Sequence, residues 1–500
     1  MFLLPLFTEM VHLKEGFPVR LHNSENETTV KVYLLFGCVD SPAKASFMNI
    51  KCHAGYCSCT KCLIVGEKSP RTDNVMVFLY EENVTRRSDA NYLESVMEAV
   101  RTKKESKGVL GPSILAYMTH SSFIQSVSID SMHALAIGVT KQLLRLWFDS
   151  KYKDKPFSLY QHAGRVNAML TNLQLPHFVQ RLPEDVTKLA FWKASLARNF
   201  LFYIAPVIMR SVMKPEYFEN FLLLVNGSSL LHKSSLSDAD LDLSDERLNS
   251  FCKGFEHLYG VRYMSSNIHS LLHLSETVRE TGNLCLTNCF DLEGLNGQMV
   301  ALVHGTLHAV QEIYQNMRVL AVMPSLIPNV KSDAVKLFYL KVTKQRKYLN
   351  ITGKVGERTY VVGEMDTITK HFAKIHNLLT VLFPAPVEFR TFPRLYHGKF
   401  LFVSSTYDSG SRVSSFCAYT SPTGISHGVI LTFLKTVTDP AQYFALVSKS
   451  DDLTVNIERF VKFKCEENYD LIDVSRLKCV SFGLHVQEDI FLVHCVKKPQ

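Results

Sequence analysis

The hydrophobic pattern near the start of the chain predicts a strand followed by a helix. Residues 30–39, VKVYLLFGCV, form a nearly continuous apolar run, which is typical of a strand buried on both faces of a sheet. The run stops at Asp40, and Ser41 and Pro42 then supply an N-cap and a first-turn proline for a helix. Asp40 is therefore expected at the carboxyl edge of a sheet, where α/β proteins place their chemistry.

The middle of the chain is mainly helical in its apolar spacing. Residues 123–129 predict a short strand, which ends at Asp130 and is followed by an amphipathic helix over 133–148. The apolar residues of 183–279 also recur at helical spacing. The polar stretch 228–245 predicts a loop within that helical block.

The carboxyl-terminal part changes from a helical to a strand-like period. Residues 291–321 are helical in pattern, whereas from about residue 399 short apolar runs recur between turn residues and predict an all-β domain. The fold class is therefore α+β. The predicted divisions are a mixed core at 1–135, a helical region at 136–285, further helices at 286–345, a linker at 346–395 and the all-β domain at 396–500.

Composition is that of a globular protein. The chain has 500 residues, of which 46% are hydrophobic and 20% charged. The opening MFLLPLF is too short and uncharged for a signal peptide, and no apolar run reaches the roughly 20 residues of a membrane helix, so we expect neither secretion nor a membrane. Twelve cysteines are too few for a disulfide scaffold, and a net charge of +8 is compatible with an acidic partner such as DNA.

The thiols are concentrated in residues 51–62, KCHAGYCSCTKC. Cys59 and Cys62 form a C-x-x-C pair, which can supply two ligands to one tetrahedral Zn²⁺ but makes only half a site. His269 and His273 are four residues apart in a stretch with helical spacing. Both side chains are therefore expected on one face of a helix, as binding to one metal requires. The candidates for the missing ligands are Cys52, His53, Cys57, His269 and His273.

Two other interpretations of these residues remain open. The histidine pair can simply cover a helix face. A C-x-x-C pair can also be a redox site, but such a pair should open a helix behind a thioredoxin-like strand, whereas this one follows a Gly-Tyr turn.

Three acids are candidates for a second kind of metal site. They are Asp40, Asp130 in the stretch IDSMH, and Glu293 in CFDLEGLNGQM. Carboxylates that converge on one pocket can hold a pair of divalent ions, which activate a water or hydroxyl in phosphodiester cleavage. Taken separately, each acid is equally well explained as a helix cap or a solvated side chain.

Taken in order, these motifs resemble one family. The succession VDSPAKASFMNIKCHAGYCSCTKC, IDSMHALAIGVTKQLLRLWF, NIHSLLHL and FDLEGLNGQMVALVHGTLH is similar to the Tnp2-like DDE transposases of animal genomes, which are related to the CACTA and Chapaev group. The resemblance runs from about residue 1 to residue 330, and the β-rich end of the chain is also similar to the carboxyl region of those proteins.

The resemblance implies an RNase H-like catalytic core, incomplete here and split by an α-helical insertion, with an all-β domain after it. It matches Asp40 to the second catalytic carboxylate and Glu293 to the last one, both as ligands of Mg²⁺ or Mn²⁺. Asp130 and His133 match a D-x-x-H element near the site. The ancestral activity would be DNA strand cleavage and transfer.

The resemblance also selects a zinc ligand set. The large subunit of the recombinase that assembles immunoglobulin genes is similar in layout, with a C-x-x-C after the second aspartate and paired histidines before the glutamate sharing one zinc. Here the cysteines lie 19 and 22 residues after Asp40, and the histidines 24 and 20 before Glu293. The implied ligands are Cys59, Cys62, His269 and His273, with Cys52, His53 and Cys57 as supporting residues.

The sequence departs from the family in its first acid. Residues 1–39 contain no aspartate, so this chain is expected to be truncated at its amino end and inactive. We expect a DNA partner and no membrane, and a homo-oligomer is one candidate state. The resemblance implies a nuclear location, with a cytoplasmic location as the alternative. The alternatives are a zinc-stapled DNA-binding or scaffolding protein without catalysis, and an unselected transposon relic. Two interpretations of the basic residues stay open, a solvated charged face and contact with phosphate. These residues are Lys141, Arg145, Lys151, Lys153, Lys188, Lys193 and Arg198, the last three around Trp192.

Overall fold

The computed structural model divides the chain into two compact units. It describes residues 3–20, 26–69, 75–118, 120–173, 175–177, 179, 181, 185–305, 307–342, 351–363, 366–367, 379–380, 383, 387–407, 412–449, 460–463, 468–486 and 489–494. The first unit contains the described residues up to Leu173 together with Arg181–Cys289. The second contains those of 174–180 and those from Phe290 onward.

The first unit is built mainly from helices with a few short strands. The strands are β1 (Phe17–Arg20), β2 (Glu27–Val30), β3 (Gly37–Val39), β4 (Glu67–Lys68), β5 (Met76–Val77) and β6 (Val127–Ile129). The helices are α1 (Leu4–Glu15), α2 (Ser41–Met48), α3 (Asp89–Thr102), α4 (Phe123–Ser126), α5 (Lys141–Phe148), α6 (Ala163–Thr171), α7 (Ala194–Asn199), α8 (Ala205–Met209), α9 (Pro215–Leu230), α10 (Asp238–Tyr259), α11 (Ser266–Ser270) and α12 (Leu274–Thr281). Met132–Thr140 and Phe200–Ile204 have wider π-type turns and lead directly into α5 and α8.

Two parallel strands, β3 and β6, position the acids of the first unit. Cys38 pairs with Ser128 and Val39 with Ile129, so Asp40 and Asp130 leave the ends of neighbouring strands. The predicted strand over residues 30–39 is wrong in its length and burial, because only Gly37–Val39 pairs with β6. Several side chains before it, such as Leu35, are exposed. The prediction at 123–129 is also corrected, since a helical turn precedes the three-residue strand β6.

The helical part of the first unit surrounds a dense apolar core. Trp147 is buried, packs edge-on against Phe221 and donates a hydrogen bond from its Nε1 to the Tyr259 hydroxyl at 2.9 Å. The loop predicted at 228–245 is much shorter, because α10 already begins at Asp238. A capping box starts this helix: the Ser237 hydroxyl accepts from Asp240 N–H, and the Asp240 carboxylate accepts from Ser237 N–H.

The second unit combines helices with an antiparallel β region. Its helices are α13 (Phe290–Val300), α14 (Ala309–Leu326) and α15 (Asp333–Val342). Its strands are β7 (Ile351–Gly356), β8 (Thr359–Val362), β9 (Asp366–Thr367), β10 (Phe389–Phe392), β11 (Arg394–His397), β12 (Phe400–Val403), β13 (Phe416–Ser421), β14 (Gly424–Thr436), β15 (Tyr443–Lys449), β16 (Phe460–Phe463), β17 (Tyr469–Asp473), β18 (Leu477–Val486) and β19 (Asp489–His494).

The β region forms two sheets in the described part of the chain. One follows the order β16-β19-β18-β13-β14-β10-β9, with β15 joining β14 to β17, and the other follows β12-β11-β8-β7. The carboxyl-terminal all-β region is thus confirmed, but it begins earlier than residue 396. The prediction of a linker at 346–395 is wrong, because β7, β8, β10 and part of β11 lie there, and buried Val361 and Phe392 join the apolar core.

None of the helices in the described ranges is long and apolar enough to span a membrane.

Candidate metal centre

The C-x-x-C loop is held in place by contacts with the segment that precedes α3. Arg87 donates from Nε and Nη2 to the Cys59 carbonyl at 3.2 and 3.1 Å, and its own backbone N–H donates to the Lys61 carbonyl. The Lys61 backbone N–H lies 3.4 Å from the Cys59 sulfur. These contacts fix the Cys59 carbonyl and turn the two sulfurs in one direction. Cys62 is fully buried, next to Ile64 and Phe78.

The two histidines are buried on a helical segment far along the sequence. His269 lies in α11 and His273 ends the tighter 3₁₀ turn that follows, and their exposed fractions are 3% and 1%. The segment can approach closely because Gly138 carries no side chain: a Cβ there would lie 2.6 Å from Cγ of Asn267. The His269 ring also stacks on Phe78, at 5.8 Å between ring centroids.

Cys59, Cys62, His269 and His273, called here the Cys–His cluster, meet at one point. Their ligand atoms all lie within 4.8 Å of one another. The Nε2 atom of His269 is 3.3 Å from the Cys62 sulfur and 3.3 Å from Nε2 of His273. Around a tetrahedral zinc, with bonds of about 2.0–2.3 Å, neighbouring ligand atoms lie about 3.3–3.8 Å apart. The prediction that these four side chains form one possible metal-binding group is confirmed.

The donor set fits a metal ion better than it fits a network of hydrogen bonds. His269 Nδ1 is buried without a hydrogen-bond partner in the described structure, so the polar contacts of this ring are made through Nε2, which faces the other ligand atoms. Both donor types, thiolate sulfur and imidazole nitrogen, are those preferred by Zn²⁺.

Charged residues surround the cluster as an outer shell. Glu276 Oε2 lies 3.4 Å from Nδ1 of His273, and Arg86 Nη1 lies 2.5 Å from the same nitrogen. Arg86 Nε also lies 3.5 Å from Glu276. Arg86 and Glu276 thus both lie at the outer nitrogen of His273, and contacts of this kind at the second nitrogen of a histidine ligand fix the orientation of its ring.

A buried ion pair supports the C-x-x-C loop from the other side. Lys61, between the two cysteines, is 1% exposed, and its Nζ lies 2.5 Å from Glu280 Oε2 and 3.0 Å from the Ile124 carbonyl. Glu280 is on α12, one turn beyond Glu276. The loop is therefore joined to α12 by a charge pair as well as by the cluster.

The electrostatics favour a thiolate at Cys59. A hydrogen bond from the Cys62 thiol lowers the pKa of Cys59 well below its usual value, against the effect of burial, and His273 and His269 add to the lowering. The same hydrogen bond and burial raise the pKa of Cys62. Burial acts to lower the pKa of His273, but the Cys59 thiolate and Glu276 outweigh it, and that pKa is raised.

The supporting residues predicted in this loop do not join the cluster. Cys52 is exposed and Cys57 half-buried, and neither belongs to the group of four ligand atoms. His53 is exposed and lines two cavities instead, of about 90 and 600 Å³. The smaller cavity also touches Cys59, both cluster histidines and Asp130.

The two acids predicted as magnesium ligands, Asp40 and Glu293, belong to different units. Asp40 is the N-cap of α2, and its Oδ1 accepts from the Ala43 N–H at 2.8 Å. This corrects the assignment of the cap to Ser41, which is instead the first residue of α2, followed by Pro42. Glu293 is an exposed residue of α13, in the second unit.

Asp130 and His133 form a local pair, as their spacing suggests. Asp130 is 3% exposed, and its Oδ2 lies 2.5 Å from Nδ1 of His133. Burial acts to raise the pKa of Asp130, but hydrogen bonds from His133, Cys289 and Met132 outweigh it and lower the pKa. Asp130 also belongs to a second group with Cys38 and Cys289, whose ligand atoms lie within 4.8 Å of one another.

Sequence reasoning did not single out Cys38 and Cys289. The only available signal was position: Cys38 lies two residues before Asp40, and Cys289 four before Glu293. Isolated cysteines in apolar company are usually buried hydrophobes, so neither stood out.

The basic residues predicted to contact DNA differ in their solvent exposure. Arg145, Lys151, Lys153, Lys188 and Lys193 are exposed, while Lys141 and Arg198 are half-buried. Arg145 lines the cavity of about 600 Å³ together with Asp40, His133 and Arg262. Trp192 is 1% exposed and donates from Nε1 to the Asp185 carbonyl, so its ring is not presented to a nucleic-acid base.

Comparison with known proteins gives no further assignment. No protein-family model matches the chain, and no curated protein matches it.

Proposed function

We propose that this chain derives from a DDE transposase of the Tnp2-like group, that it binds a structural zinc ion and DNA, and that it has lost strand cleavage. The observation that carries the proposal is the Cys–His cluster. Cys62 and His269 are 207 positions apart, yet their ligand atoms are 3.3 Å apart. The transposase resemblance requires this meeting, whereas the two alternatives, a histidine pair covering a helix face and a redox C-x-x-C, do not.

The zinc ion is proposed to act as a staple. Cys59, Cys62, His269 and His273 would hold it, and with four protein ligands no coordination position remains for substrate, so its role is structural. The cluster joins the loop after α2 to the helical segment α11–α12. These are the parts that the resemblance assigns to the catalytic core and to its helical insertion.

The RNase H-like core is supported by one further feature. In that fold, acids follow the ends of neighbouring parallel strands, and here Asp40 follows β3 and Asp130 follows its parallel partner β6. A helical block lies between Asp130 and Glu293, in the place of the insertion.

Loss of cleavage follows from the available acids. Two-metal phosphodiester cleavage depends on carboxylates that bridge the ions, and their removal costs most of the stabilisation of the transition state. Asp40 accepts a hydrogen bond from its own helix, and Asp130 is paired with the His133 ring. We therefore propose that Mg²⁺ and Mn²⁺ were ancestral cofactors and support no turnover in this chain.

DNA binding is proposed at the 600 Å³ cavity and the basic residues beside it. Arg145 and Arg262 line the cavity, and exposed Lys151 and Lys153 lie just beyond α5. Guanidinium groups bind phosphate oxygens bidentately, so a cavity lined by two of them suits a phosphodiester backbone. Such binding weakens as salt is added, because counterions must be displaced.

The test combines a salt titration with a nicking assay on the full chain. We expect duplex DNA to bind with an affinity that falls steeply as salt increases, and Arg145→Ala to reduce the slope by about one. Arg165→Ala is the matched control, since Arg165 is exposed on α6 and does not line the cavity. We expect no nicking with Mg²⁺ or Mn²⁺, for either the wild type or Glu293→Gln.

Two results would contradict this function. Binding without a salt slope would exclude the phosphate interface. Metal-dependent nicking that Glu293→Gln abolishes would show that the chain is still an enzyme.

A further inference from the structure

A second group of metal-type ligands lies at the ends of β3 and β6. Cys38 comes from β3, Asp130 directly follows β6, and Cys289 is the last residue of the first unit. Cys289 is 6% exposed, Asp130 is 3% exposed and Cys38 is half-buried. Their ligand atoms lie within 4.8 Å of one another although the two cysteines are 251 positions apart.

The separation of the two sulfurs fits a shared ion. The Cys38 and Cys289 sulfurs are 3.9 Å apart. Two thiolates on one tetrahedral zinc lie about 3.8 Å apart, because each Zn–S bond is about 2.3 Å long. A disulfide would require about 2.05 Å between the sulfurs.

The carboxylate of the group is held in place by a complete set of donors. Asp130 Oδ1 accepts from the N–H groups of Met132 at 3.0 Å and Cys289 at 2.9 Å. Its Oδ2 accepts from the His133 N–H at 3.1 Å and lies 2.5 Å from the His133 ring. These contacts orient the carboxylate, as outer-shell hydrogen bonds do at metal sites, and an ion would take the place of the His133 ring contact on Oδ2.

The charges and the available space also suit a cation. Two thiolates and a carboxylate would place three negative charges together. The buried Lys44 acts on Cys38 and Asp130, and the His133 ring lies 2.5 Å from Asp130. These two groups supply at most two positive charges, so an excess of negative charge remains that a divalent ion would offset. Asp130 and Lys44 also line the 90 Å³ cavity, which is large enough for several water molecules.

We propose that Cys38, Asp130 and Cys289 bind a second thiophilic divalent cation of the zinc class, with water as its remaining ligand. Binding releases one proton from each thiol and transfers no electrons. The ion joins β3 to the end of the first unit, just before Phe290 begins α13. This proposal depends neither on transposase ancestry nor on the Cys–His cluster.

The test counts metal ions on the full chain. The protein is equilibrated with zinc, freed of excess metal and analysed by elemental mass spectrometry. We expect two zinc ions per chain for the wild type and one for Cys289→Ser and for Cys38→Ser. Cys285→Ser is the matched control, four residues earlier in the same segment, and should retain two.

A second measurement covers the case in which a serine variant does not fold. The wild type is treated with a thiol-alkylating reagent before and after removal of zinc, and the labelled peptides are mapped. We expect Cys38 and Cys289 to be protected with zinc and labelled without it.

Each alternative outcome overturns the proposal. Equal metal content in Cys289→Ser and the wild type, labelling of both thiols in the zinc-loaded protein, or a Cys38–Cys289 disulfide in the unreduced peptide map would each exclude the second site. Failure of the first site gives a different result: Cys59→Ser would then leave the zinc content of the wild type unchanged.

Discussion

Two regions of the first unit gather ligand-type side chains in different ways. In the Cys–His cluster, the ligand atoms come from segments about 200 residues apart and lie within 4.8 Å of one another, with Arg86 and Glu276 at the outer nitrogen of His273. At the ends of β3 and β6, the carboxylates of Asp40 and Asp130 accept hydrogen bonds from the helical turns that they begin.

This difference gives a criterion for distinguishing a metal ligand from a helix cap. A carboxylate satisfied by its own helix explains its position without an ion, as at Asp40. Buried thiols and imidazoles that meet from segments about 200 residues apart have no such local explanation. Asp130 combines both features: its carboxylate accepts from its own helical turn, and it also lies within 4.8 Å of the sulfurs of Cys38 and Cys289.

The largest expected effect is that of removing zinc from the Cys–His cluster. Structural zinc sites contribute on the order of 10 kcal/mol, which is comparable with the whole stability of a domain. A chelator should therefore unfold the first unit, as should His273→Ala without any chelator. Circular dichroism during heating measures this. Cys252→Ser, at a buried cysteine of α10 outside both groups, is the control. A melting temperature unaffected by the chelator would contradict the staple.

The next effect concerns the ion pair that supports the C-x-x-C loop. Lys61→Ala would leave Glu280 buried without its partner, and a loss of about 3–5 kcal/mol in the free energy of unfolding is expected. Lys61→Met combined with Glu280→Leu should recover most of that loss. Arg101→Ala breaks an exposed pair with Glu98 and should cost less than about 1 kcal/mol. Equal losses in Lys61→Ala and Arg101→Ala would show that burial of the pair is unimportant.

A pH effect is expected from Lys44, a buried residue of the helix that Asp40 begins. Burial, together with the charge of Lys61, lowers the pKa of Lys44 from 10.5 to about 8. Since the unfolded chain binds more protons between these values, stability should rise as the pH increases from about 8 to 10.5, by roughly 3 kcal/mol. Urea unfolding at several pH values measures it. The rise should be absent in Lys44→Met, and a rise of equal size in that variant would assign it to other groups.

The smallest expected effect on stability is that of replacing Asp40, the N-cap of α2. Asp40→Ala should cost about 1 kcal/mol of unfolding free energy, and Asp40→Asn much less, because asparagine caps helices equally well. Glu293→Gln, at an exposed position, should change stability little. Urea unfolding of the three variants distinguishes them. If Asp40→Asn were as costly as Asp40→Ala, the charge of Asp40 would have a role beyond capping.

The candidate site was more predictable than the details of the fold. A metal requires particular atoms at particular separations, so C-x-x-C and the two histidines were recognisable as halves of one site. The pairing of the two cysteines with the two histidines was predicted from the family resemblance. No local pattern in residues 51–62 specifies a partner near residue 270.

The errors in the fold have local causes. The apolar run at 30–39 indicated burial, but only its last three residues find a strand partner, at β6. The polar stretch at 228–245 indicated a loop, yet it contains the capping residues of α10, and polar residues are common to loops and caps. The strands before residue 396 were missed because β7 and β8 are short and only partly apolar.

The central claim is that one zinc ion joins four side chains from distant parts of the sequence. Crystals of the full chain grown with zinc, with diffraction data collected at the zinc absorption edge, test it most directly. We expect an anomalous peak about 2.3 Å from the sulfurs of Cys59 and Cys62 and about 2.0 Å from Nε2 of His269 and His273. A map without a peak among these four side chains would contradict the account.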